Sequence, residues 1–442
     1  MTQDRSFAPV VRNRDFFTLW MAQIISQTAQ NGIHFVQIVL IETLTRSTAH
    51  MAIVILSFSL PAVLLSSLAG IAVDRLSNKL VMLASNAIRV LTVTTYIVVL
   101  DRLGGWSLLM VIYAVTFVSS AIGQFFAPAE ATTIPLLVGE ERLLTANALF
   151  NLTLIGTQVV GLVIVAPLAV KMLGIKGAFS TVALMYLIAS ALVSRIPRDK
   201  PKLVVQSGTS MLKTVWEELR EGWRYVASKR SILVALSQLT MTTTLLMMMA
   251  MLAPGYATRV LGMMPEDAIF VFAPAGVGML ANTFVVGRFG YRFRREMMSS
   301  IGFSAMVITL FGFGLAGFDL PLWSTIPKVP TIMLVSLTLG AEISMVVIPS
   351  ETLLQEKSPP ELRGRVIAVY FLLANLVAIP IMLMVGTMAD QIGIPQVIMG
   401  VALFLTAIAA TTTYQAFRFR EVGGGIFEAG TAIEYYSHPG DE

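Results

Sequence analysis

The side chains best suited to bind something are concentrated near the start of the chain. Gln23, Gln27, Gln30, Asn31, His34 and Gln37 recur there at helical spacing, opposite Phe16, Ile25 and Phe35. Amides and an imidazole offer hydrogen bonds, so the chemistry they support is recognition. Such groups are costly against lipid, and the face they share must look into a bundle or a wet cavity. It reads as a substrate path or as glue between helices, which Gln and Asn also supply. So many amides on one helix favour the path. Arg89 lies about 15 Å beyond Lys79 if the intervening run is helical, deep in the apolar stretch 80–100. It could hold an anionic group, pair with a carboxylate, or be satisfied by helix carbonyls or by snorkelling to the nearer face. Glu342, within another apolar run, is a carboxyl that could carry a proton or serve as a structural partner.

Other chemistries are excluded. There is no Cys, and His34, His50 and His438 are too far apart in sequence to suggest a metal cluster. No Gly-Lys dipeptide occurs, so there is no phosphate-binding P-loop, and there is no HExxH. No catalytic residue, metal or cofactor is expected, and the chain does not read as an enzyme. A pI near 9.4 invites a nucleic-acid reading, but the basic residues fall between apolar runs, as membrane topology demands.

The elements that position these residues are apolar runs. The chain is 56% hydrophobic and 13% charged, with a mean hydropathy of +0.77, which marks an integral membrane protein. Runs occur at roughly 16–41, 49–73, 80–100, 107–138, 145–170, 177–196, 231–257, 268–287, 297–317, 331–354, 366–389 and 394–417. Each is long enough to cross a hydrocarbon core of about 30 Å as a helix. The polar N-terminus lacks the pattern of a signal peptide, so the first run is expected to be a retained span. Alternate loops leave only Arg46, Arg102, Lys171, Lys176, Arg259 and Lys328 on one side, so both termini are expected in the cytoplasm. The expected organisation is an N-terminus at 1–15, six spans over 16–196, a linker at 197–230, six spans over 231–417 and a tail at 418–442. In the linker, Leu212, Val215, Trp216, Leu219, Trp223 and Val226 recur at helical spacing, predicting an amphipathic helix on the cytoplasmic membrane surface. The tail, with Gly423-Gly424-Gly425, reads as disordered.

The halves repeat. Pro128-Ala-Glu130 and Arg142 reappear as Pro349-Ser-Glu351 and Arg363 at one constant offset. The charged wedge Gly70-Ile-Ala-Val-Asp74-Arg75-Leu-Ser-Asn-Lys79 has a second copy at Gly287–Arg295, with Tyr291 in place of Asp74. Duplicated halves around a midplane site are a transporter design. The wedge resembles the loop between the second and third helices of the major facilitator superfamily. Leu219-Arg-Glu-Gly-Trp-Arg-Tyr225, Phe126-Ala-Pro-Ala129 with Ile134-Pro-Leu-Leu-Val138, Ala146-Asn147, and Leu354-Gln355 with Arg363-Gly-Arg-Val366 resemble its enterobactin-exporter and macrolide-efflux branch. The fifth span departs from the glycine series of many drug/proton antiporters. It keeps Gly156 and Gly161 but reads Ala166-Pro167.

The resemblance implies an all-α membrane protein of twelve transmembrane helices in two pseudo-symmetric six-helix halves, the major facilitator fold. It also implies a secondary transporter, acting as a monomer in a bacterial inner membrane, that exports amphipathic or drug-like small molecules by alternating access. A lysophospholipid flippase of the same fold is the alternative, and a non-transporting sensor or assembly factor is one of another class. The expected site comprises the polar first span with Arg89, and Glu342 as the proton site. Gly70, Asp74, Arg75, Lys79, Glu130, Arg142, Arg292, Glu351, Arg363 and Arg365 are the expected cytoplasmic gate.

Overall fold

A chain in lipid must satisfy its own backbone hydrogen bonds, and long apolar runs without breakers do so as helices. The computed structural model describes residues 8–139, 142–199, 211–318 and 320–418, and it is helical, with no strand among them. In the first part of the chain the helices are α1 (Arg14–Thr45), α2 (Thr48–Arg75), α3 (Asn78–Arg102), α4 (Gly105–Val138), α5 (Leu143–Val159) and α6 (Ala166–Ser194). Then come α7 (Met211–Ser228), α8 (Arg230–Arg259), α9 (Ala268–Phe289), α10 (Arg295–Leu315), α11 (Lys328–Lys357), α12 (Pro360–Ile392) and α13 (Ile394–Arg418). The expected tail lies beyond the described residues.

Among the described residues, ten segments are long and apolar enough to cross a bilayer. The first span is not among them: α1 has the length, at 32 residues, but carries the amides. Gly156–Ser194, at 39 residues, exceeds one crossing. It breaks at Gly174, where φ is 71° and ψ 177°, a conformation that L side chains avoid. Counting α1, and dividing that segment at Gly174, makes the twelve expected.

The chain divides into two compact units, residues 1–208 with 251–269, and residues 209–250 with 270–442. Helix α8 therefore contributes its C-terminal end, from Met251, to the first unit and its remainder to the second.

In the first unit α1 packs on α6, α2 on α4, and α3 on both α4 and α6. Phe16, Leu19, Val73, Met82, Phe126 and Val193 form a buried apolar cluster at one end. Between α5 and α6 the helix widens to a π turn, Val160–Val165, just before Pro167. A proline cannot donate to the helix ladder, and π turns recur at functional sites. Gly161 of this turn lies against α1, where a Cβ would come within 2.5 Å of the Thr28 carbonyl. Small residues let helix backbones approach in this way, which matters where lipid removes the hydrophobic drive between helices.

In the second unit α10 packs on α11 and α13. Helices α9 and α11 cross at two facing glycines. A methyl on Gly278 would collide with the Leu337 carbonyl, and one on Gly340 with the Ala275 carbonyl.

Part of the linker helix, expected on the membrane surface, packs on α12. Val226 is buried with Val366 and Val369 of α12, and Leu219 packs beside them. Gly222 abuts the Arg365 backbone, the Tyr225 hydroxyl donates to the Lys357 carbonyl at 2.6 Å, and Arg365 pairs with Glu221 at 2.6 Å. Among the described side chains of α7, Leu219, Tyr225 and Val226 are covered by protein because α12 offers them a partner, and Trp223 is left exposed. The side chains of Leu212, Val215 and Trp216 lie outside the described residues.

Candidate functional site

The polar face of α1 divides in two. Gln23 and Gln37 are buried inside the first unit, whereas Gln27, Gln30, Asn31 and His34 are half-buried. The half-buried group is self-bonded. Gln30 and His34 meet at 2.9 Å, and Asn31 donates to the Gln27 carbonyl at 2.9 Å. The His34 ring lies 4.1 Å from that of Phe58. Gln37 donates to the Tyr96 hydroxyl at 2.9 Å, and that hydroxyl also meets Thr116 at 2.6 Å. Gln23 is different, because neither its amide oxygen nor its nitrogen has a partner. An interhelical hydrogen bond in a membrane is worth about 0.6 kcal/mol, and an unsatisfied buried polar group costs about 1–3 kcal/mol. Glue therefore does not account for Gln23.

Arg89 sits at the centre of this interior, 4% exposed. Its guanidinium lies against two aromatic faces, 5.4 Å from the ring centre of Phe126 and 5.3 Å from that of Tyr186. Gly123 makes the space, since a Cβ there would stand 2.5 Å from Nη2. The guanidinium donates one long hydrogen bond, Nη1 to the Ser26 Oγ at 3.4 Å, and Ser26 donates to Asn86 at 3.2 Å. Nε of Arg89 and Nδ2 of Asn86 have no partner. Of the three alternatives for Arg89, carbonyl satisfaction and snorkelling are not what is seen.

The carboxylate nearest in effect is Glu130, expected at the gate and instead buried, 3% exposed, with Oε1 unpartnered. The charge of Arg89 acts on it, yet the two form no ion pair. Tyr186 joins this interior to the half-buried face, because its hydroxyl donates to Gln30 Oε1 at 2.9 Å. Glu342, in the second unit, accepts from Thr309 at 2.8 Å and leaves Oε2 unpartnered.

The gate expectations meet a different geometry. Helix α2 continues through Gly70 to Arg75, so only Leu76 and Ser77 link it to α3. The surroundings of Gly70, Asp74 and Arg75 lie outside the described residues. Lys79 donates to the carbonyls of Ser194 and Ile196, each at 2.6 Å, closing the end of α6. No ion pair joins Glu130 to Arg142 or Glu351 to Arg363. Arg142 and Glu351 are exposed, and Arg363 donates to the Ser358 carbonyl at 3.1 Å. Arg292 donates to the Tyr291 hydroxyl at 3.1 Å. The matched acids and bases were placed by sequence repeat, and the packing of α4 buries Glu130.

Three groups escaped the sequence reading. Asp199, just after α6, caps α3 by accepting from the Asn78 N–H at 2.7 Å, the Lys79 N–H at 3.1 Å and the Ser77 hydroxyl at 2.7 Å. Glu42, at the last turn of α1, is 2% exposed, pairs with Arg259 at 3.0 Å and accepts from Thr258 at 2.8 Å. It borders a cavity of about 580 Å³ with Arg46, Val170, Met263 and Glu266. In the second unit, Gln238 is buried and donates to Ser300 at 3.2 Å, and Thr243 meets Tyr370 at 2.8 Å. The Thr-rich run Thr240–Thr244 was a usable signal for the last of these. Asp199 and Glu42 gave none, since each acts on residues far away in sequence. Among the described residues no group of three or more His, Cys, Asp or Glu could hold a metal ion.

Partial burial acts to raise the Asp199 pKa, but the hydrogen bonds from Ser77, Lys79 and Asn78 outweigh it and hold the carboxyl below its ordinary value. A depressed pKa contributes stability above the unfolded value, lost as pH falls through the folded one. Asp199→Ala should therefore destabilise the first unit by about 1 kcal/mol at neutral pH, as a lost helix cap does. The gap from wild type, measured by thermal unfolding in detergent, should close on acidification. A gap independent of pH would mean that the charge is not what matters.

Residues 19–382 match the profile of the Major Facilitator Superfamily. The chain is 24% identical over 396 residues to the uncharacterized MFS-type transporter YfiS of Bacillus subtilis (strain 168), covering 87% of this chain and 89% of that one. It is 24% identical over 228 residues to YkuC of the same organism, about half of each chain. Among solved structures, a bacterial homolog of the human lysosomal transporter Spinster aligns with a TM-score of 0.69 at 12% identity, covering 95% of this chain and 98% of the other. The nucleoside transporter NupG aligns with a TM-score of 0.68 at 14% identity, covering 91% and 99%.

Proposed function

This chain belongs to the Major Facilitator Superfamily and is a membrane transporter of small molecules rather than an enzyme, and on that footing we propose that it exports amphipathic or drug-like molecules by alternating access, driven by an ion gradient. The observation that best supports this is the division of α1. Half-buried Gln27, Gln30, Asn31 and His34 supply a hydrogen-bonding wall, and Tyr186 ties that wall to the interior holding Arg89 and Glu130. A scaffold or sensor has no need of unsatisfied polar groups at that depth, which argues against the reading of another class. The two halves rock in the proposed cycle. Residues 251–269, which belong with the first unit, are released when Glu42 lets go of Arg259. Asp74 and Arg75, with the second wedge, lock the cytoplasmic side. Glu342 and Glu130 are the carboxyls able to carry the coupling proton.

Direction and cargo come from the resemblance to the enterobactin-exporter and macrolide-efflux branch. The fold itself also serves nucleosides in NupG and peptides in other structural neighbours. The second reading, a lysophospholipid flippase, draws on the unpartnered Arg89 Nε, which would meet a phosphate. The protein would act as a monomer in a bacterial inner membrane, with both termini cytoplasmic.

Inverted membrane vesicles accumulate what a cell exports, so they provide the test. Uptake of lipophilic dyes that collapses with an uncoupler and in Asp74→Asn is the expected result. Movement of labelled lysophospholipid alone would favour the flippase, and uptake untouched by uncoupler would remove ion coupling.

A further inference from the structure

The second wedge differs from the first in one respect that changes its electrostatics. Where the first carries Asp74, the second carries Tyr291, so its arginines have lost the acid of the repeat. Arg288 and Arg292 are exposed and Arg294 is half-buried, and none of the three pairs with a carboxylate among the described residues. The nearby acids are taken. Glu296, which lies within reach of the charge of Arg294, binds Lys357 at 2.6 Å, and Glu356 faces Arg295 at 3.5 Å. Arg288 at the end of α9, Arg292 in the turn after it and Arg294 at the start of α10 therefore gather in one short connection without a carboxylate partner among the described residues, and like charges repel.

The aromatic residues point to what neutralises them. Arg288 and Arg292 lie against the Phe289 ring at 5.9 and 5.8 Å, and Arg292 also against Tyr291 at 5.5 Å. These contacts hold the guanidinium planes without using up their charge. Tyr291 is 68% exposed, and on α9 the stripe leading to Arg288 ends in Phe284 at 80% exposed. An exposed apolar stripe on a span is a surface for acyl chains, and aromatic rings with Arg at its end mark the headgroup level.

We propose that Arg288, Arg292 and Arg294 form a binding site for the phosphate of an anionic phospholipid, with Phe289 and Tyr291 fixing the guanidinium groups of Arg288 and Arg292 and Phe284 meeting the acyl chain. The lipid supplies the negative charge that Asp74 supplies in the first repeat. The site is independent of the cargo, and it stands whether or not the export reading does, because it is tested by binding.

The experiment is native mass spectrometry of the purified full chain with equal amounts of phosphatidylglycerol and phosphatidylcholine of matched acyl chains. Wild type should retain phosphatidylglycerol in preference. Each Arg→Gln change should weaken that preference roughly fivefold, and the triple variant by about a hundredfold. The triple Arg→Lys variant, which keeps the charge, should retain most of it. Arg102→Gln, at the opposite end of its span, should have no effect. A folded triple Gln variant that still prefers phosphatidylglycerol would overturn the proposal. So would a wild type with no preference, or release of the lipid by millimolar glycerol 3-phosphate.

Discussion

Replacing Arg89 by Leu is expected to destabilise the first unit by about 1–3 kcal/mol, the usual cost when a buried polar contact is lost and its partner is left unsatisfied. It should also lower transport of every cargo by about a hundredfold or more, the loss that follows when one pre-positioned charge is removed from a working site. The stability effect follows from the buried interior that holds Arg89 and Glu130, in which the charge of Arg89 acts on Glu130 without an ion pair. The informative variant is the double one, Arg89→Leu with Glu130→Leu. Apolar replacement of both buried charges is often neutral or stabilising, so unfolding temperature should recover. Transport should not recover if the charges are part of the mechanism. A double variant that regains both would make the pair structural, and a single variant that melts like wild type would show that the two charges do not sense each other.

The Glu42→Ala change should cost about 2–3 kcal/mol, somewhat less than a fully buried pair because Arg259 is 30% exposed. Glu42 makes two separate contacts from one carboxylate, to Arg259 and to the Thr258 hydroxyl, and its removal loses both. Glu42→Gln keeps an acceptor for Thr258 and should cost about half as much. Hydrogen exchange across 251–269 should rise in Glu42→Ala, because that segment is held to the first unit there and by the Lys171–Asp267 pair at 2.9 Å. Adding Arg259→Ala should cost less than the sum of the two single changes, since the two side chains share one contact. Unchanged exchange would show that packing alone holds the segment.

Much of the fold was legible because a bilayer simplifies the code. A span must be helical whatever its neighbours, so run length and charge placement identify it without tertiary information. Even so, the first span was recognised from its length and its place in the repeat, since its composition alone falls short. The site was legible in kind and less so in detail. Gln27, Gln30 and Asn31 and Gln23 and Gln37 share one apparent face, and only the packing of α1 on α6 and the π turn separates the half-buried group from the buried one.

The sequence by itself determined the spans, the duplicated halves, the unusual polarity of α1 and the presence of charge at Arg89, Glu130 and Glu342. All of these depend on local composition and period. Tertiary structure alone decided which charges act on one another. Glu130 is buried within reach of the charge of Arg89, Asp199 reached back across 121 positions to cap α3, and Glu42 found Arg259 across 217. The reason is geometric: helical period fixes the face a side chain occupies, but the helix it meets there is set by packing between segments far apart in the chain.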